Sequence, residues 1–412
     1  MKQEPTSFDL AIIGGGIAGA AIARDATFRG FRVVLFEKET LGSGTSSRSS
    51  KLIHGGLRYL ETAWIALKIK RFGESLKNLR FVCSSLKEGQ ILERIAPELV
   101  RPIEFIIPIY KADDRTPLAI FLGAWVYGVL GRLYGNPKSP KIFRSKDTVL
   151  KRIPYLNPKG LLGGVSIWDR ITDDRELVRA TARSAETHGA KIYEYSLVKH
   201  YQYLAAEKQF EIEVESTSQG HCRYTAKKLI NASGPWVDQV RNANSRINEE
   251  YLVPVAGVHI TLKKFTDYSV ILRTTDKRIF FIVNQGSLAR IGTTERIHKD
   301  PDTVEPLDEE VEYLLTALER YFPQIPFNQD EIISKDAAVR PLAKPQRETE
   351  PHNISREHEV RIDSSGVLHV LGVKMTDHRR AAQEIVDRIV RELKPVCPNL
   401  KTHSSTHLHR LS

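Results

Sequence analysis

Cysteine is scarce in this chain of 412 residues, and its three cysteines lie far apart at positions 83, 222 and 397. The sequence contains no Cys-x-x-Cys pair and no Cys/His spacing typical of zinc. This excludes a disulfide framework as the basis of the fold, and no metal-binding residue is predicted. Scarce cysteine is typical of a reducing compartment, and the polar N-terminus MKQEPTSFDL does not resemble a signal peptide. We therefore expect a cytoplasmic protein.

A segment that could cross a membrane is not evident either. Residues 118–131, LAIFLGAWVYGVLG, form an uncharged stretch of fourteen residues, whereas a spanning helix needs about 20. Its length favours a helix buried in the core. The alternative is a helix lying in a membrane interface, with Arg115 and Arg132 at its ends and Trp125 and Tyr127 within it.

Acidic residues are outnumbered by basic ones, and the formal net charge is +11. A basic surface attracts phosphorylated ligands and anionic lipid, although a generally solvated basic surface explains the charge equally well. No run of Lys and Arg alternates with aromatic residues, so we expect no nucleic acid as a partner.

The N-terminal region has the pattern of a strand–helix–strand unit. A short apolar run, Asp9 to Ile13, predicts a first strand; residues 17–29 predict a helix, and FRVVLFE, ending at Glu37, predicts a second buried strand. The turn between the first strand and the helix reads GGGIAG over residues 14–19, which matches the phosphate-binding pattern G-x-G-x-x-G.

Each glycine of that pattern has a physical role. Gly14 permits the tight turn, Gly16 lets the backbone approach a pyrophosphate, and Gly19 lets the helix pack closely on the strand. The N-terminus of the helix offers free N–H groups and a partial positive charge to the phosphates. Glu37 is placed to accept hydrogen bonds from ribose hydroxyls, and its charge disfavours the extra phosphate of NADP. The region therefore predicts a bound dinucleotide.

Later segments predict a mixed architecture without internal repeats. Residues 61–100 and 176–188 have helical periodicity, as does AAQEIVDRIVREL near the end. Residues 252–295 alternate like an antiparallel sheet, and the turn residues 284–286, Asn-Gln-Gly, predict a hairpin between RIFFIV and SLARIGTTE.

The stretch GSGTSSRSSKLIHGGLRYLE, residues 42–61, resembles the TSSxSSKLIHGGLRYLE motif of the FAD-dependent glycerol-3-phosphate dehydrogenases, which are part of the D-amino-acid-oxidase-like flavoproteins. Further segments resemble motifs of that family in the same order, from residue 8 to about 390: NASGPW at 231–236 (NATGPW in the family), DKRI at 276–279, IGTT at 291–294, VRPL at 339–342 and ISR at 354–356 (ITR in the family).

The resemblance implies an α/β fold, with a Rossmann-like FAD-binding domain and an inserted, mostly antiparallel β-sheet substrate domain. We expect the FAD-binding domain to comprise residues 1–100, 165–245 and 335–395, the substrate or cap domain 101–164 and 246–334, and a flexible tail 396–412. It also implies FAD-dependent oxidation of sn-glycerol 3-phosphate to dihydroxyacetone phosphate, with quinone or oxygen as electron acceptor. A homodimer and peripheral contact with the inner face of the cytoplasmic membrane are further expectations.

The same resemblance assigns candidate site residues. The predicted catalytic residues are His54, His259, Arg340 and Lys374, and Arg340 is also expected to bind the substrate phosphate with Arg58, Tyr59 and Arg356. Arginine suits a phosphate because its planar fork donates two hydrogen bonds, and histidine can take a proton near neutral pH. The predicted cofactor-binding residues are Gly14, Gly16, Gly19, Glu37, Thr45, Ser46, Ser50, Ser233, Gly234, Trp236, Gly372, Lys374, Met375 and Thr376.

One segment departs from the family pattern. Where the family has GGKLTTYR, this chain has GVKMTDHR at residues 372–379, so that Val373 replaces a glycine and Asp377-His378 replace Thr-Tyr. Two alternatives therefore remain open at this point: a related flavin oxidoreductase acting on a different hydroxy acid, amine or amino acid, and a flavin-holding binding protein without catalysis. Substrate-dependent reduction of the flavin distinguishes all three hypotheses.

Overall fold

The computed structural model describes residues 6–111, 116–136, 139–244, 249–345, 357–393 and 408. The strands, in chain order, are β1 (Ser7–Ile13), β2 (Val33–Phe36), β3 (Leu52–Ile53), β4 (Val100–Tyr110), β5 (Lys141–Phe143), β6 (Leu161–Thr172), β7 (Lys191–Tyr193), β8 (Ser196–Leu204), β9 (Gln209–Ser216), β10 (Gly220–Asn231), β11 (Leu252–Lys263), β12 (Ser269–Arg273), β13 (Ile279–Gln285), β14 (Leu288–Gly292), β15 (Arg296–Ile297), β16 (Ser334–Ala343), β17 (Glu359–Ile362) and β18 (Leu368–Leu371).

The helices lie between these strands. In chain order they are α1 (Ile17–Phe28), α2 (Leu57–Lys68), α3 (Phe72–Ile95), α4 (Pro117–Leu133), α5 (Lys146–Leu150), α6 (Asp174–Thr187), α7 (Val237–Asn242), α8 (Asp308–Tyr321) and α9 (His378–Leu393).

The first sheet has the strand order β17-β18-β10-β1-β2-β7, and β8 and β9 extend it from β10. Its centre is parallel: β1 pairs in parallel with both β2 and β10, and β10 pairs in parallel with β18. The central strands are apolar on both faces because both faces are covered. Helices α1, α6 and α9 pack on one face, and the β8–β9 hairpin closes the other. The predicted strand–helix–strand unit is therefore confirmed.

The second sheet has the order β15-β11-β14-β13-β12-β4-β6-β3, with β16 paired to β11 and β5 paired to β6. Its pairings are antiparallel except for β12 with β4. Helix α8 covers one face, and α2, α3 and α4 cover the other. The predicted hairpin is confirmed, although its turn is Gly286-Ser287, because Gln285 already pairs with Leu288.

The chain passes between the two sheets several times. It builds β1 and β2 in the first sheet, β3 to β6 in the second, β7 to β10 in the first, β11 to β16 in the second, and β17 and β18 in the first. The predicted α/β fold with an inserted antiparallel sheet is thus confirmed. The domain ranges stay a prediction, but β6 and β16 pair within the second sheet, whereas 165–245 and 335–395 were assigned to the FAD-binding domain. Alternation of residues predicts a strand and not its distant partner, which explains this difference.

The apolar stretch at residues 118–131 forms most of α4, and the expectation of a helix buried in the core holds for one side of α4 only. On the opposite side of α4, Leu118, Leu122 and Trp125 are exposed. Within the described part of the chain, no helix is both long enough and apolar enough to span a membrane. Arg115, which marks one end of the stretch, lies outside the described residues.

Candidate active site

The glycine-rich turn after β1 is packed too closely for side chains. Gly14 has a φ of +104°, and a Cβ atom built there would lie 2.7 Å from the carbonyl oxygen of Ala232. A Cβ atom on Gly19 would lie 1.9 Å from the carbonyl oxygen of Gly14. Both positions therefore require glycine, for close contact with β10 and within the turn respectively. Gly16 has more space, since its Cβ atom would lie 3.1 Å from Ser46 Oγ.

The N-terminus of α1 points its free N–H groups into this turn. Its N-cap is Gly16, which has no side chain to cap the helix, and its first turn contains no acidic residue. The backbone N–H of Ile17 donates to Ser46 Oγ at 3.1 Å. A hydroxyl thus occupies a position where phosphate oxygens suit both the N–H groups and the helix dipole.

Glu37 follows the carboxyl end of β2 and is almost fully buried. Its carboxylate accepts hydrogen bonds from the backbone N–H groups of Gly15 at 2.6 Å and Glu39 at 2.9 Å. Burial raises the pKa of Glu37, and these two hydrogen bonds act in the opposite direction. The carboxylate is therefore fixed beside the glycine-rich turn, which is the geometry a ribose-binding acid needs.

The 231–236 motif closes the other side of the turn. Asn231 Oδ1 accepts from Ser233 Oγ at 2.6 Å, and Gly234 adopts a φ of +60°. The Trp236 ring lies directly over Gly44, where a Cβ atom would come within 3.0 Å of it. Ser233, Gly234 and Trp236 therefore line the same region as the glycine-rich turn.

Segment 42–50 runs from this region towards the second sheet. Thr45 Oγ1 donates to the carbonyl oxygen of Val339 at 2.6 Å, and Ser50 Oγ lies 2.9 Å from Nε2 of His259. Thr45, Ser46 and Ser50 are all partly exposed and carry hydroxyl groups along one path. They fit a polar ligand that extends from the glycine-rich turn to the second sheet.

The segment before α9 reaches the same path. Gly372 has a φ of +68°, and Thr376 Oγ1 accepts from the backbone N–H of His54 at 3.2 Å. Met375 is buried in the core of the first sheet. The glycine-rich turn, the fixed carboxylate and the two hydroxyl-bearing segments together fit FAD, an extended dinucleotide with a pyrophosphate at its centre.

Lys374 lies against two aromatic rings. Its Nζ atom is 4.3 Å from the ring centroid of Phe81 and 4.7 Å from that of Tyr59. The Tyr59 and Phe81 rings themselves pack at 4.5 Å. The predicted roles of Lys374 and Tyr59 stay predictions, but the structure places the two side chains in direct contact.

His259 lies at the centre of a cluster of cations. It is almost fully buried on β11, between β14 and β16. Burial lowers the pKa of its imidazole well below 6.5, and the charges of Arg290, Arg340 and Lys51 lower it further. His259 is therefore neutral at neutral pH, in a region whose potential favours anions.

Arg340 is half-buried on β16. Its guanidinium donates to Thr293 Oγ1 at 2.8 Å and pairs with Glu295 Oε1 at 3.3 Å. Gly257 on β11 leaves room for it, because a Cβ atom there would lie 2.5 Å from Arg340 Nη2. The arginine is thus oriented by its neighbours, as a residue that binds a phosphate must be.

Several residues of this region escaped the sequence analysis. Arg290 makes a bidentate pair with Asp336 at 2.7 Å for both bonds and donates to the carbonyl oxygen of Ser49. Lys51 pairs with the fully buried Asp174. These contacts join residues far apart in sequence, so single-sequence patterns do not reveal them. One feature of the sequence could have identified Arg290: it is a basic residue in the middle of an apolar strand.

Tyr127 and Asp169 were also missed. Tyr127 Oη donates to Asp169 at 2.7 Å and accepts from the backbone N–H of Gly55 at 2.9 Å, next to His54. A signal existed in α4, where Tyr127 is the only residue with a polar side chain on a face otherwise formed by Ala124, Gly128 and Gly131.

Some predicted residues lie outside what the structure describes. This is true of Arg356 and of the side chain of Arg58. Two of the residues that depart from the family pattern, Asp377 and His378, are buried: Asp377 accepts from Ser85 Oγ at 3.2 Å, and His378 Nδ1 lies 2.6 Å from the carbonyl oxygen of Met375. Burial lowers the pKa of His378 to about 4.

Comparison with known proteins agrees with this geometry. Residues 9–388 match the family described as FAD dependent oxidoreductase. The chain is 34% identical over 397 residues to an aerobic glycerol-3-phosphate dehydrogenase of Staphylococcus epidermidis, covering 94% of this chain and 68% of that protein. A relative of the same name from Staphylococcus saprophyticus is 35% identical over 396 residues, with the same coverage.

Solved structures show the same relationship. The glycerol-3-phosphate dehydrogenase from Bacillus halodurans complexed with FAD aligns with a TM-score of 0.76 at 26% identity, covering 99% of this chain and 68% of that one. The L-α-glycerophosphate oxidase from Mycoplasma pneumoniae has a TM-score of 0.66 at 17% identity, covering 98% of this chain and 99% of that one, and shares the fold. These matches and the fit of the site confirm the predictions of FAD as cofactor and of an oxidoreductase. The chain belongs to the FAD-dependent oxidoreductase family.

Proposed function

We propose that this enzyme oxidises the secondary alcohol of sn-glycerol 3-phosphate to dihydroxyacetone phosphate. The observation that carries the proposal is the cluster of Arg290, Arg340 and Lys51 around a neutral His259, joined to the FAD-binding segment through Ser50. A phosphorylated alcohol needs both features, because its phosphate requires fixed cations and its hydroxyl requires a group that takes a proton. The relatives named above as glycerol-3-phosphate dehydrogenases support the same substrate.

Arg340 is the residue we assign to the phosphate. It is half-buried and oriented by Thr293 and Glu295, so little side-chain freedom is lost when an anion binds. Arg290 and Lys51 are each paired with a carboxylate, and we assign them to holding Ser49 and the segment around it.

Two histidines are candidates for moving the proton. His54 is half-buried in the loop before α2 and can contact a bound substrate directly. His259 is buried, so it can act only through Ser50, whose hydroxyl lies 2.9 Å from its Nε2 atom. FAD, held by the glycine-rich turn and Glu37, would supply the hydride acceptor for this oxidation. The protein holds the substrate, excludes water and takes the hydroxyl proton.

The residues that depart from the family pattern were a reason to consider another substrate. In the structure, Asp377 and His378 use their polar atoms inside the protein, on Ser85 and Met375, and Val373 packs on the core of the first sheet. Their side chains thus serve packing, which weakens the case for an altered substrate pocket.

A substrate panel tests the proposal. Purified, FAD-loaded enzyme would be assayed with an artificial electron acceptor and sn-glycerol 3-phosphate, glycerol, glycine and L-proline. We expect turnover with sn-glycerol 3-phosphate at a kcat/KM at least about a hundredfold above that for glycerol, because glycerol lacks the phosphate that Arg340 binds. Higher activity with an amino acid would instead support the alternative substrate class, and a flavin that no compound reduces would support a binding protein.

A membrane surface is the partner we propose for the exposed apolar face formed by α2, the start of α3, and α4. Its exposed apolar side chains are Trp64, Ile65, Leu67, Ile69, Phe72, Leu76, Leu79, Leu118, Leu122, Trp125 and Leu133. Exposed Lys68, Lys70, Arg71, Lys77 and Arg80 lie among them, so the face combines apolar and basic residues as membrane-interface surfaces do. Contact with the inner face of a cytoplasmic membrane would give access to a quinone as acceptor, and oxygen remains the alternative.

A further inference from the structure

A buried tyrosine–carboxylate pair lies beneath the loop 54–56, His-Gly-Gly. Tyr127 Oη is 2.7 Å from Asp169 Oδ1 and 2.9 Å from its Oδ2. The backbone N–H of Gly55 donates to Tyr127 Oη at 2.9 Å and, at 3.4 Å, to Asp169 Oδ1. The hydrogen bonds therefore run from the loop backbone through the phenol to the carboxylate.

The pair is costly to bury, so its presence requires an explanation. Tyr127 is 0% exposed and Asp169 is 6% exposed. Burial raises the pKa of Asp169 to about 7 and raises that of Tyr127 well above 10. The neighbouring Arg170, which pairs with Glu93 at 2.7 Å, contributes a favourable charge to Asp169 but no hydrogen bond. The phenol and the loop N–H are thus the partners that offset the cost of this carboxyl group.

The Tyr127–Asp169 pair lies where the backbone hydrogen bonds between β3 and β6 end. In the ladder between β3 and β6, Leu52 pairs with Ile171 and Ile53 with Arg170. The next position would pair His54 with Asp169, but the ladder ends there. From this point the loop is held by side chains: Thr376 Oγ1 accepts from the N–H of His54 at 3.2 Å, and the pair accepts from that of Gly55.

We propose that Tyr127 and Asp169 are positioning residues that fix the backbone at His54 and Gly55, and so orient His54 for the oxidation. This inference rests on the proposed function for the part that His54 plays. The fit around Gly55 is close, because a Cβ atom there would lie 2.9 Å from Tyr127 Oη and 2.7 Å from the Leu86 side chain. Loss of the phenol oxygen leaves the Gly55 N–H with only its longer contact to Asp169 Oδ1, and so lets the loop shift without removing any group that touches substrate.

The experiment compares FAD-loaded Tyr127→Phe with wild type and with Tyr321→Phe. Tyr321 is a matched control: it is also buried and its hydroxyl also donates one bond, to the carbonyl oxygen of Arg273 at 2.8 Å. Two quantities would be measured: amide hydrogen exchange of a peptide containing residues 54–56, and the reduction of the flavin by sn-glycerol 3-phosphate in stopped flow.

We expect exchange at residues 54–56 to be faster by about tenfold in Tyr127→Phe, with α1 unchanged. The limiting rate of flavin reduction should fall by roughly 10- to 100-fold, because a small displacement of a catalytic group has that effect. The apparent Kd for substrate should stay within about twofold, since the phosphate contacts are untouched. Tyr321→Phe should match wild type in all three quantities.

Exchange and limiting rate both equal to those of Tyr321→Phe would overturn the inference. Faster exchange with an unchanged limiting rate would also overturn it, since the pair would then support the fold alone. Asp169→Asn provides a second variant, with the same expected results, if Tyr127→Phe does not retain FAD. If substrate fails to reduce even the wild-type flavin, the proposed function fails. The inference is then decided by exchange and by the visible circular dichroism of bound FAD, which should change in Tyr127→Phe and not in Tyr321→Phe.

Discussion

Arg340 is oriented by two partners that differ in charge, Thr293 and Glu295. Replacing it with alanine removes the guanidinium and leaves the Glu295 carboxylate facing the phosphate. We expect Arg340→Ala to raise KM for sn-glycerol 3-phosphate by about 10- to 100-fold, the range for losing a charge-assisted hydrogen bond.

FAD content should be unchanged in that variant, and steady-state kinetics with each substrate would check the result. The slow oxidation of glycerol, which has no phosphate, is the internal control and should not change. Arg152→Ala is a matched variant, since Arg152 is also half-buried but is bonded to Tyr268 and to no predicted site residue. An unchanged KM in Arg340→Ala would remove Arg340 from the phosphate site.

Kinetic measurements on variants of His54 and His259 distinguish the roles of the two histidines. Because the pKa of His259 lies well below 6.5, its imidazole stays neutral as pH falls from 8 to 6 and gains a proton only at more acidic pH. Any acid limb in kcat/KM near neutral pH must therefore come from another group. We expect His259→Gln to keep that limb and His54→Gln to lower the limiting rate by about 10²- to 10⁴-fold, the range for loss of a general base.

pH profiles of kcat/KM for wild type and both variants would measure this. Loss of the neutral-pH limb in His259→Gln would contradict the assignment, as would a fully active His54→Gln.

How far the site could be predicted from sequence differs between residues. Gly14, Gly19 and Glu37 were predictable because their roles depend on local backbone geometry within one strand–helix–strand unit. Tyr127 and Asp169 were not, because their role is set by packing between α4, β6 and a loop far away in sequence. The neutral state of His259 was equally hidden, since burial and the charges of three distant residues produce it.

Among the elements, α1 is the one whose packing depends most directly on glycine. A Cβ atom on Gly19 would lie 1.9 Å from the Gly14 carbonyl oxygen, so alanine there must separate α1 from the turn. We expect Gly19→Ala to be purified with little or no flavin, as measured by the ratio of visible to ultraviolet absorbance.

The matched control is Gly123→Ala in α4, where the new Cβ would have no atom of the rest of the protein, beyond its own helix turn, within 4 Å. That variant should retain FAD and gain about 0.5–1 kcal/mol in free energy of unfolding, because alanine favours a helix interior. Full flavin content in Gly19→Ala would show that the turn does not hold the cofactor as described.

The elements themselves were predictable where periodicity was strong. The α1, α6 and α9 helices and the β13–β14 hairpin follow from their residue patterns. The assignment of β6 and β16 to the second sheet did not follow, because strand pairing depends on partners distant in sequence. The exposure of one side of α4 did not follow either, because an apolar sequence does not show what covers each side of a helix.

The exposed side of α4 leads to a prediction about membrane binding. We expect the double variant Leu118→Glu/Trp125→Glu to sediment less with vesicles containing anionic lipid than wild type does, because it replaces two exposed apolar side chains of the proposed membrane-contacting face with charged ones. Ile333→Glu changes an apolar residue elsewhere that is about as exposed as Trp125, and it should bind like wild type.

Raising the salt concentration should weaken binding of the wild type, since the basic residues on this face are exposed and are screened. If wild type and the double variant bind vesicles equally at low salt, the α4 surface is not the site of contact.

At the scale of the whole molecule, the two sheets carry different parts of the candidate active site. The first sheet carries the glycine-rich turn and Glu37, whereas the second carries His259 and Arg340. Segment 42–56 connects them, because its hydroxyl groups bond to α1 through Ser46, to β16 through Thr45 and to β11 through Ser50. The expected homodimer stays a prediction at this scale. The net charge of +11 is consistent with a phosphorylated substrate and with anionic lipid, and does not choose between them.

Anaerobic titration of the purified, FAD-loaded protein with sn-glycerol 3-phosphate, followed by flavin absorbance, tests the central claim most directly. The account predicts that the oxidised flavin bands bleach at modest substrate concentrations, and that the same concentrations of glycerol leave them unchanged. A flavin that stays oxidised with sn-glycerol 3-phosphate but is reduced by an amine or amino acid would contradict the proposed substrate while leaving FAD binding intact.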